Sequence, residues 1–253
     1  MKKNVYRIIW VCGMFLTLLL TLMMIMVYKI RYQDTIYYKY LYFYNCNDEI
    51  CSTTNEKEIE DKSMIYSVYK YQKKTPTFTK LNSEYVKIYD RDKTVLYSMH
   101  DRIISNNYKD YEIIENDEPE FVATNENNMK GLINKKGNSI SAFLFKEFGT
   151  YNKTLIACVN EEKYGIITLD GKKTFLEFEY DNIIIYDEFI ITTKDNKINI
   201  IDENKNNLIE NQIEIENQKN VIIEKKDNII IIKENKNNEF NEYKFDTEKK
   251  ALV

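Results

Sequence analysis

The sequence predicts an all-β protein in which antiparallel three-stranded units repeat along the chain, preceded by one amino-terminal transmembrane helix. Three observations predict this fold class. An uncharged apolar run covers residues 8–28, two pairs of glycines recur at one fixed spacing, and isoleucine-rich runs alternate with polar turns. Units of this kind can follow one another as a propeller-like or a solenoid array, and the sequence does not distinguish the two.

Composition excludes several classes of protein. With 253 residues, of which 43% are hydrophobic and 13% aromatic, the chain is long enough to bury a core of its own. Its net charge of -4 is too close to balance for a nucleic-acid-binding protein, which would carry a clustered basic patch. One histidine, four cysteines and six glycines leave little material for catalytic or phosphate-binding motifs. We therefore predict no enzyme activity, no cofactor and no metal.

The run from Ile8 to Tyr28 has the length that a helix needs to cross about 30 Å of hydrocarbon. No alanine precedes Ala123, so the run lacks the small-residue cleavage site of a signal peptide. The pattern predicts an uncleaved membrane anchor over residues 8–28. Three basic residues before the run and two just after it favour a cytoplasmic amino terminus and a carboxy-terminal domain in the periplasm or outside the cell.

Three regions follow from this assignment. Residues 1–31 form the tail and transmembrane helix, residues 32–62 form an aromatic juxtamembrane segment and linker, and residues 63–253 form the β-repeat domain. Residues 52–62 are polar and charged without an apolar period, which indicates a linker.

The segment after the helix contains two further features. Six tyrosines between residues 32 and 44 are typical of a membrane interface, or equally of a strand or helix packed on the domain. Cys46 and Cys51 are five residues apart, a spacing that can close a small disulfide in an oxidising compartment. The alternative is a pair of free thiols. Cys158 lies in an alternating strand pattern and is expected to be a small buried hydrophobe.

An internal repeat of 34 residues is the strongest signal in the sequence. Gly131 and Gly165 are 34 residues apart, and so are Gly137 and Gly171, although the chain has only six glycines. A shared spacing of this kind is typical of stacked repeat units, which bury their apolar faces against one another.

Three further copies are more weakly preserved. Residues 198–206 keep the spacing of the best copies but contain no glycine. Residues 86–94 and 242–250 are fainter copies, each 44 residues from its neighbour in the series. The outer units are therefore expected to carry longer insertions.

Each unit is predicted to contain three short strands. In the best copy, residues 164–168 form a strand, Asp170 and Gly171 close a hairpin turn, and residues 173–178 form the return strand. A third strand follows at 188–194. The β-branched isoleucines of these runs suit a pleated sheet better than a helix.

Residues 164–197 resemble a WG repeat, a bacterial β-strand repeat with an aromatic-Gly pair, a strand, Asp-x-Gly-Lys, an apolar stretch, Tyr-Asp-x-Ile and a final strand. The residues that match are Tyr164-Gly165, Asp170-Gly171-Lys172 and Tyr180-Asp181-Asn182-Ile183. The family's signature tryptophan is missing, and Lys130, Tyr164 and Ile198 stand in its place. The resemblance is good over this unit and partial over 130–163. It implies an all-β repeat array without a defined enzymatic activity, of a kind generally regarded as a binding or scaffold module.

The repeated residues are predicted to have a structural role. An aromatic residue before glycine can cover a sheet, the glycine permits close backbone approach, and Asp-Gly closes a turn. The residues to which we assign this role are Gly131, Gly137, Tyr164, Gly165, Asp170, Gly171, Tyr180 and Asp181.

Two candidate chemical sites are weak. His100, the single histidine, occupies the place of Tyr180 in the repeat and has no motif-bearing serine or cysteine beside it. Residues 202–213 begin like a calcium loop, but Asn207 stands where glycine is needed and Ile213 where glutamate belongs. We predict a structural aromatic position for the first and a hairpin turn for the second.

These observations lead to a non-enzymatic function. The β-repeat domain is expected to present an extended surface to a protein or cell-envelope partner, as repeat arrays generally do. An enzyme or accessory subunit without a recognisable motif is the alternative, and it would require a deep pocket with convergent carboxylates. A spacer that binds nothing is a third hypothesis.

Overall fold

The computed structural model describes residues 13–28, 38–72, 74–100, 102–116, 120–236 and 239–253. Beyond the helix at 13–28, these residues form antiparallel strands, turns and three short 3-10 helices. The chain divides into two compact units. The amino-terminal unit consists of residues 1–92 and 97–102, and the carboxy-terminal unit consists of residues 93–96 and 103–253.

The first two sheets begin at residue 38. The first sheet has the order β2-β1-β3, and 3-10 helices at Glu56–Glu58 and Lys62–Met64 connect β2 to β3. Its strands are β1 (Tyr38–Cys46), β2 (Glu49–Thr53) and β3 (Ile65–Gln72). The second sheet contains four strands in chain order, namely β4 (Thr77–Lys80), β5 (Tyr85–Asp90), β6 (Lys93–Ser98) and β7 (Arg102–Ser105).

Aromatic rings form the core of the amino-terminal unit. Phe43 is fully buried, and its ring lies 5.2 Å from that of Phe78 and 5.7 Å from that of Tyr97. Phe43 lies on β1, inside the segment that the sequence predicts as juxtamembrane, so the folded region starts well before residue 63. Apolar and tyrosine residues alternate along β1, which selects the packed-strand interpretation of the tyrosines from 38 onward. Tyr32 and Tyr37 lie outside the described residues.

Four sheets form the carboxy-terminal unit, and their strand pairs are antiparallel. The third sheet contains β8 (Asp110–Ile114), β9 (Glu120–Thr124) and β10 (Lys130–Ile133). The fourth contains β11 (Glu147–Tyr151), β12 (Leu155–Asn160), β13 (Lys163–Thr168) and β14 (Thr174–Tyr180). The fifth contains β15 (Asn182–Tyr186), β16 (Phe189–Lys194), β17 (Lys197–Ile201) and β18 (Ile213–Glu214). A 3-10 helix at Gln218–Asn220 leads to the sixth, which contains β19 (Val221–Lys226), β20 (Ile229–Lys236), β21 (Glu239–Asp246) and β22 (Ala251–Leu252).

The sequence repeat and the sheets are out of phase. The predicted hairpin at 164–178 is found as β13 and β14, and the predicted third strand as β16. However, β13 and β14 belong to the fourth sheet while β16 belongs to the fifth, so one repeat contributes to two neighbouring sheets. The prediction of three strands per unit is too low for the last three sheets, which contain four strands each. In the fifth sheet the additional strand is β15, at residues 182–186. Only Asp181 separates β14 from β15, so the chain passes directly from one sheet to the next.

The core of the carboxy-terminal unit lies between consecutive sheets. Along β12, Ile156 and Cys158 pack in a cluster shared with the third sheet, while Leu155 and Ala157 pack in a cluster shared with the fifth. Successive side chains of a strand point to opposite faces, so a middle strand buried on both faces needs a continuous apolar run. The sequence LIACVN of β12 meets that need, and Cys158 is buried as predicted.

A tight turn recurs after the third strand of three sheets. In each turn a backbone N–H donates to the carbonyl three residues earlier, over N···O distances of 2.8, 2.8 and 3.0 Å. The donors are Gly137, Gly171 and Lys205, and their φ angles are +76°, +69° and +66°. The copy at 198–206 therefore makes the same turn without glycine.

The two fainter copies differ from each other. Residues 242–250 contain the turn after β21, the third strand of its sheet, where the Asp246 carboxylate accepts backbone hydrogen bonds over 3.0 Å. Residues 86–94 instead form the hairpin between the second and third strands of their sheet. The turn residues of that stretch match the repeat by composition but not by position.

The predicted transmembrane helix is not found. The described helix covers residues 13–28, and residues 8–12 of the predicted span lie outside the described residues. Among the described residues, no helix has the length and apolar character needed to span a membrane. The prediction of a single-pass membrane protein with an exported carboxy-terminal domain is therefore wrong.

We predict that Gly171→Ala destabilises the protein by at least about 2 kcal/mol, because a Cβ would lie 2.3 Å from the Ile140 carbonyl oxygen in a left-handed backbone. Gly149→Ala is the matched control, since its Cβ would lie 3.6 Å from the Ala157 side chain. The control should change stability by no more than about 1 kcal/mol. Urea unfolding followed by circular dichroism measures both, and equal midpoints for the two variants would contradict the prediction.

Candidate functional site

The first glycine of each repeat lies beneath an aromatic ring. A Cβ on Gly131 would lie 2.9 Å from the ring of Phe143, and a Cβ on Gly165 would lie 2.7 Å from the ring of Phe178. These two rings belong to the segments that follow each glycine, so the close approach is made by the glycine's own repeat. Such contacts leave no room for a larger residue and indicate a packing role.

Asp170 closes the best-preserved turn through its side chain. Its carboxylate accepts hydrogen bonds from the Thr168 hydroxyl at 2.6 Å and from the Lys172 backbone N–H at 3.1 Å. These hydrogen bonds hold the pKa of Asp170 at about 2. The side chain is thereby committed to the turn, at the surface of the protein.

Asp181 connects the fourth sheet to the fifth. One carboxylate oxygen accepts from the Lys163 ammonium at 2.5 Å, and the other accepts from the Asp195 backbone N–H at 3.0 Å. The hydrogen bond from Lys163 is the main reason why the pKa of Asp181 is lowered. Tyr164 and Tyr180 pair across β13 and β14, and burial raises the pKa of both phenols. The structure thus brings Tyr164, Tyr180 and Asp181 together at one end of the fourth sheet.

Cys46 and Cys51 are joined by a disulfide across the hairpin of β1 and β2, with their Cα atoms 5.8 Å apart. Asn47 and Asp48 form the turn, with φ angles of +55° and +65° that suit a two-residue hairpin loop. Cys158 is remote in sequence and buried, and burial raises the pKa of its thiol to about 12.

The two weak chemical candidates contribute no site. His100 is exposed, and its backbone N–H donates to the Ser98 hydroxyl at 3.1 Å. Asp202 caps its turn by accepting from the backbone N–H groups of Asn204 and Asn206, both at 2.8 Å. Among the described residues, no cluster of three or more histidine, cysteine or acidic side chains is arranged to hold a metal ion.

A cleft of about 700 Å³ lies at one end of the carboxy-terminal unit. It is formed by the turns that follow the first strands of the third, fourth and fifth sheets, together with the loop after β17. The residues that line it are Glu115, Asn116, Tyr151, Asn152, Lys153, Thr154, Asp187, Glu188 and Glu203.

Hydrogen bonds between turns that are distant in the sequence hold the cleft together. The Asn152 side-chain amide donates to the Asp187 carbonyl at 2.6 Å and to the Glu203 carboxylate at 2.8 Å. The Asn116 amide donates to the Lys153 carbonyl at 3.1 Å. Because each of these bonds joins two different turns, they fix the positions of neighbouring turns.

The cleft is acidic. Four carboxylates line it against one lysine. Lys225 forms an ion pair with Asp187, and Lys250 lies 3.4 Å from Glu188. Glu115 and Glu203 form no ion pair within the part of the chain that the structure describes. The remaining negative charge therefore faces an open cleft with a rim of amide and hydroxyl groups.

This cleft is not evident from the sequence, because none of its residues is among those that match the WG repeat. The signal that could have revealed them is the spacing of the turns after each first strand. Asn152 and Asp187 are 35 residues apart, and Asn116 and Lys153 are 37 residues apart. Polar residues at this spacing mark one end of the third, fourth and fifth sheets.

Comparison with known proteins identifies no family. No protein-family model and no curated protein matches the sequence. Among solved structures, the chain is similar to Kluyveromyces lactis Hsv2p, with a TM-score of 0.41 and 10% identity over 74% of this chain and 78% of that one. It is also similar to the Neurospora crassa Pan2 WD40 domain, with a TM-score of 0.36 and 12% identity over 70% of this chain. It spans 64% of that chain, and similarity at this level transfers no function.

We predict that Asp170→Asn removes a part of the pH dependence of stability. The pKa of Asp170 is about 2 in the folded protein and 3.8 ordinarily, so the ionised group stabilises the fold above about pH 4 and loses that contribution as the pH falls toward 2. The stability difference between the native protein and the variant should therefore be constant near neutral pH and shrink below about pH 4. Urea unfolding at a series of pH values measures it, and a difference that stays constant down to pH 2 would refute it. Asp92→Asn is the control, since Asp92 is exposed and accepts no hydrogen bond from the described residues.

We also predict that the Cys46–Cys51 disulfide stabilises the amino-terminal unit by about 2 kcal/mol, the value expected for a short closed loop. Reduction with dithiothreitol should lower the urea midpoint of the native chain and leave that of the Cys46→Ser/Cys51→Ser variant unchanged. Alkylation of both cysteines in the folded, unreduced protein would show instead that they are free thiols.

Proposed function

We propose that this chain is a non-enzymatic binding module, and that its acidic cleft binds a segment of a protein partner that carries lysine or arginine side chains. The observation that carries the proposal is the cleft, in which carboxylates from the third and fifth sheets face one open volume. Cationic side chains gain electrostatic attraction in a concave site lined by carboxylates.

The cleft has the features of a recognition surface on a rigid support. Its residues lie on turns whose strands are anchored in cores shared between sheets, so their positions are fixed by packing. Tyr151 adds a partly exposed ring, which can contact the aliphatic stem or the charged head of a bound side chain. Phosphate-bearing partners are disfavoured because four carboxylates would repel them.

We further propose that the four sheets of the carboxy-terminal unit follow one another like propeller blades built from degenerate WG-type repeats. The recurrence of the left-handed turn at Gly137, Gly171 and Lys205 supports the repeats. Contacts between first strands support the blade-like order. The Thr150 hydroxyl accepts from the Ile185 backbone N–H at 2.7 Å, and the Tyr186 hydroxyl donates to the Ile223 carbonyl at 3.3 Å.

The alternative function, catalysis by convergent carboxylates, has less support. The cleft lining contains no histidine, cysteine or serine, and two of its four carboxylates are neutralised by lysines. General acid-base catalysis would need an acid and a base poised on either side of a substrate. Turnover of a substrate by the full chain, abolished by Glu203→Gln, would overturn the non-enzymatic assignment.

We predict that the double variant Glu115→Lys/Glu203→Lys binds a hexaarginine peptide at least about tenfold more weakly than the native chain, because two carboxylates in contact with the ligand reverse their charge. Fluorescence anisotropy of a labelled peptide measures the affinity. Binding to the native chain should also weaken between low and high salt, as expected for an electrostatic contact.

Glu126→Lys/Glu210→Lys supplies the matched control, since both residues are exposed, neither lines the cleft, and the net charge changes by the same amount. It should change the affinity less than about twofold. Equal loss in both variants would show that the peptide responds to net charge alone, and no measurable binding by the native chain would contradict the proposed cationic ligand. Circular dichroism verifies that the variants are folded.

A further inference from the structure

A second concave site lies at the opposite end of β15 from the acidic cleft. The cleft contains Asp187 and Glu188, just after β15 ends, whereas a groove of about 310 Å³ contains Asn182, where β15 begins. The first strands of the fifth and sixth sheets supply its apolar side chains, Ile184, Val221 and Ile223. The groove therefore belongs to the same unit but is separate from the proposed peptide site.

The polar groups of this groove differ from those of the cleft. Asn182 and Gln218 present side-chain amides, and neither amide has a hydrogen-bond partner among the described residues. A side-chain amide both donates and accepts hydrogen bonds. Asp181 also lines the groove, but Lys163 and the Asp195 backbone already satisfy its carboxylate. The unpartnered groups therefore favour a ligand that offers donors and acceptors together and carries no strong charge.

We propose that this groove binds a saccharide. Hydroxyl groups at the edge of a sugar ring donate and accept, which matches the two amides, and the Lys219 ammonium at the rim can donate to a further ring or hydroxyl oxygen. The C–H face of the ring packs on apolar side chains, for which Ile184, Ile223 and the half-buried Tyr164 provide a surface. The volume lies at the small end of the usual range for ligand sites, about 300–1,000 Å³, and suits one or two rings.

A peptide fits the same groove less well. A peptide segment gains affinity by burying alternate side chains in separate apolar pockets. The groove is too small for several such pockets, and polar groups account for much of its lining.

Saturation-transfer NMR on the full chain tests the proposal with glucose, maltose, N-acetylglucosamine and N,N′-diacetylchitobiose as probes. At least one of these sugars should receive saturation from the protein, and Asn182→Ala/Gln218→Ala should weaken its binding at least about tenfold through the loss of two hydrogen-bonding groups. Gln212→Ala is the control, since Gln212 is exposed and outside the groove, and it should leave the affinity unchanged.

Three results would overturn the proposal. These are no saturation transfer to any of the four sugars at millimolar concentration, undiminished binding by the double variant, and displacement of the sugar by triglycine at equal concentration. The last result would assign the groove to a peptide main chain. Gln218→Ala alone guards against misfolding of the double variant, because Gln218 is exposed on a short 3-10 helix and should give a smaller loss in the same direction.

Discussion

Close approach of the tight turns at Gly137 and Gly171 to the segments that precede them is the constraint on which the carboxy-terminal unit depends. At Gly171 the backbone adopts a left-handed conformation and lies so near the Ile140 carbonyl that a Cβ would be 2.3 Å away. Gly137 stands in the same relation to the Ile104 carbonyl, at 2.4 Å. Residues with a Cβ meet both a backbone penalty and a steric one at such positions. The turn thus sets how closely one repeat follows another, and the shared apolar cores form at that spacing.

Given that spacing between repeats, simple geometry determines which residues of each strand are buried. Middle strands such as β12 and β16 are buried on both faces, so their side chains serve two cores at once. At the ends of strands, Asp181 and Asn152 link neighbouring sheets by hydrogen bonds. Strand ends therefore carry both the connections between repeats and the groups exposed to ligands.

The two concave sites show how different chemistry arises at the two ends of one sheet. The cleft carries net negative charge on Glu115 and Glu203, which suits a cationic side chain. The groove carries neutral amides on Asn182 and Gln218 together with the aliphatic side chains of Ile184, Val221 and Ile223. The signature residues of the repeat contribute to the groove through Tyr164 and Asp181, but the carboxylate of Asp181 is committed to holding two sheets together. Structural and binding roles are thus divided among neighbouring residues.

The sequence by itself determined the all-β class, the 34-residue repeat, the hairpin of β13 and β14 and the buried Cys158, because alternation of apolar residues and turn-forming Asp-Gly act locally along the chain. Composition also made the apolar run at 8–28 resemble a membrane span, yet no helix among the described residues has the length and apolar character of one. Only the tertiary structure decided that one repeat contributes to two sheets, that β1 belongs to the folded region, and that Glu115, Asn152 and Glu203 meet in one cleft. These features depend on contacts between residues tens of positions apart, and no local pattern encodes which turns will face each other.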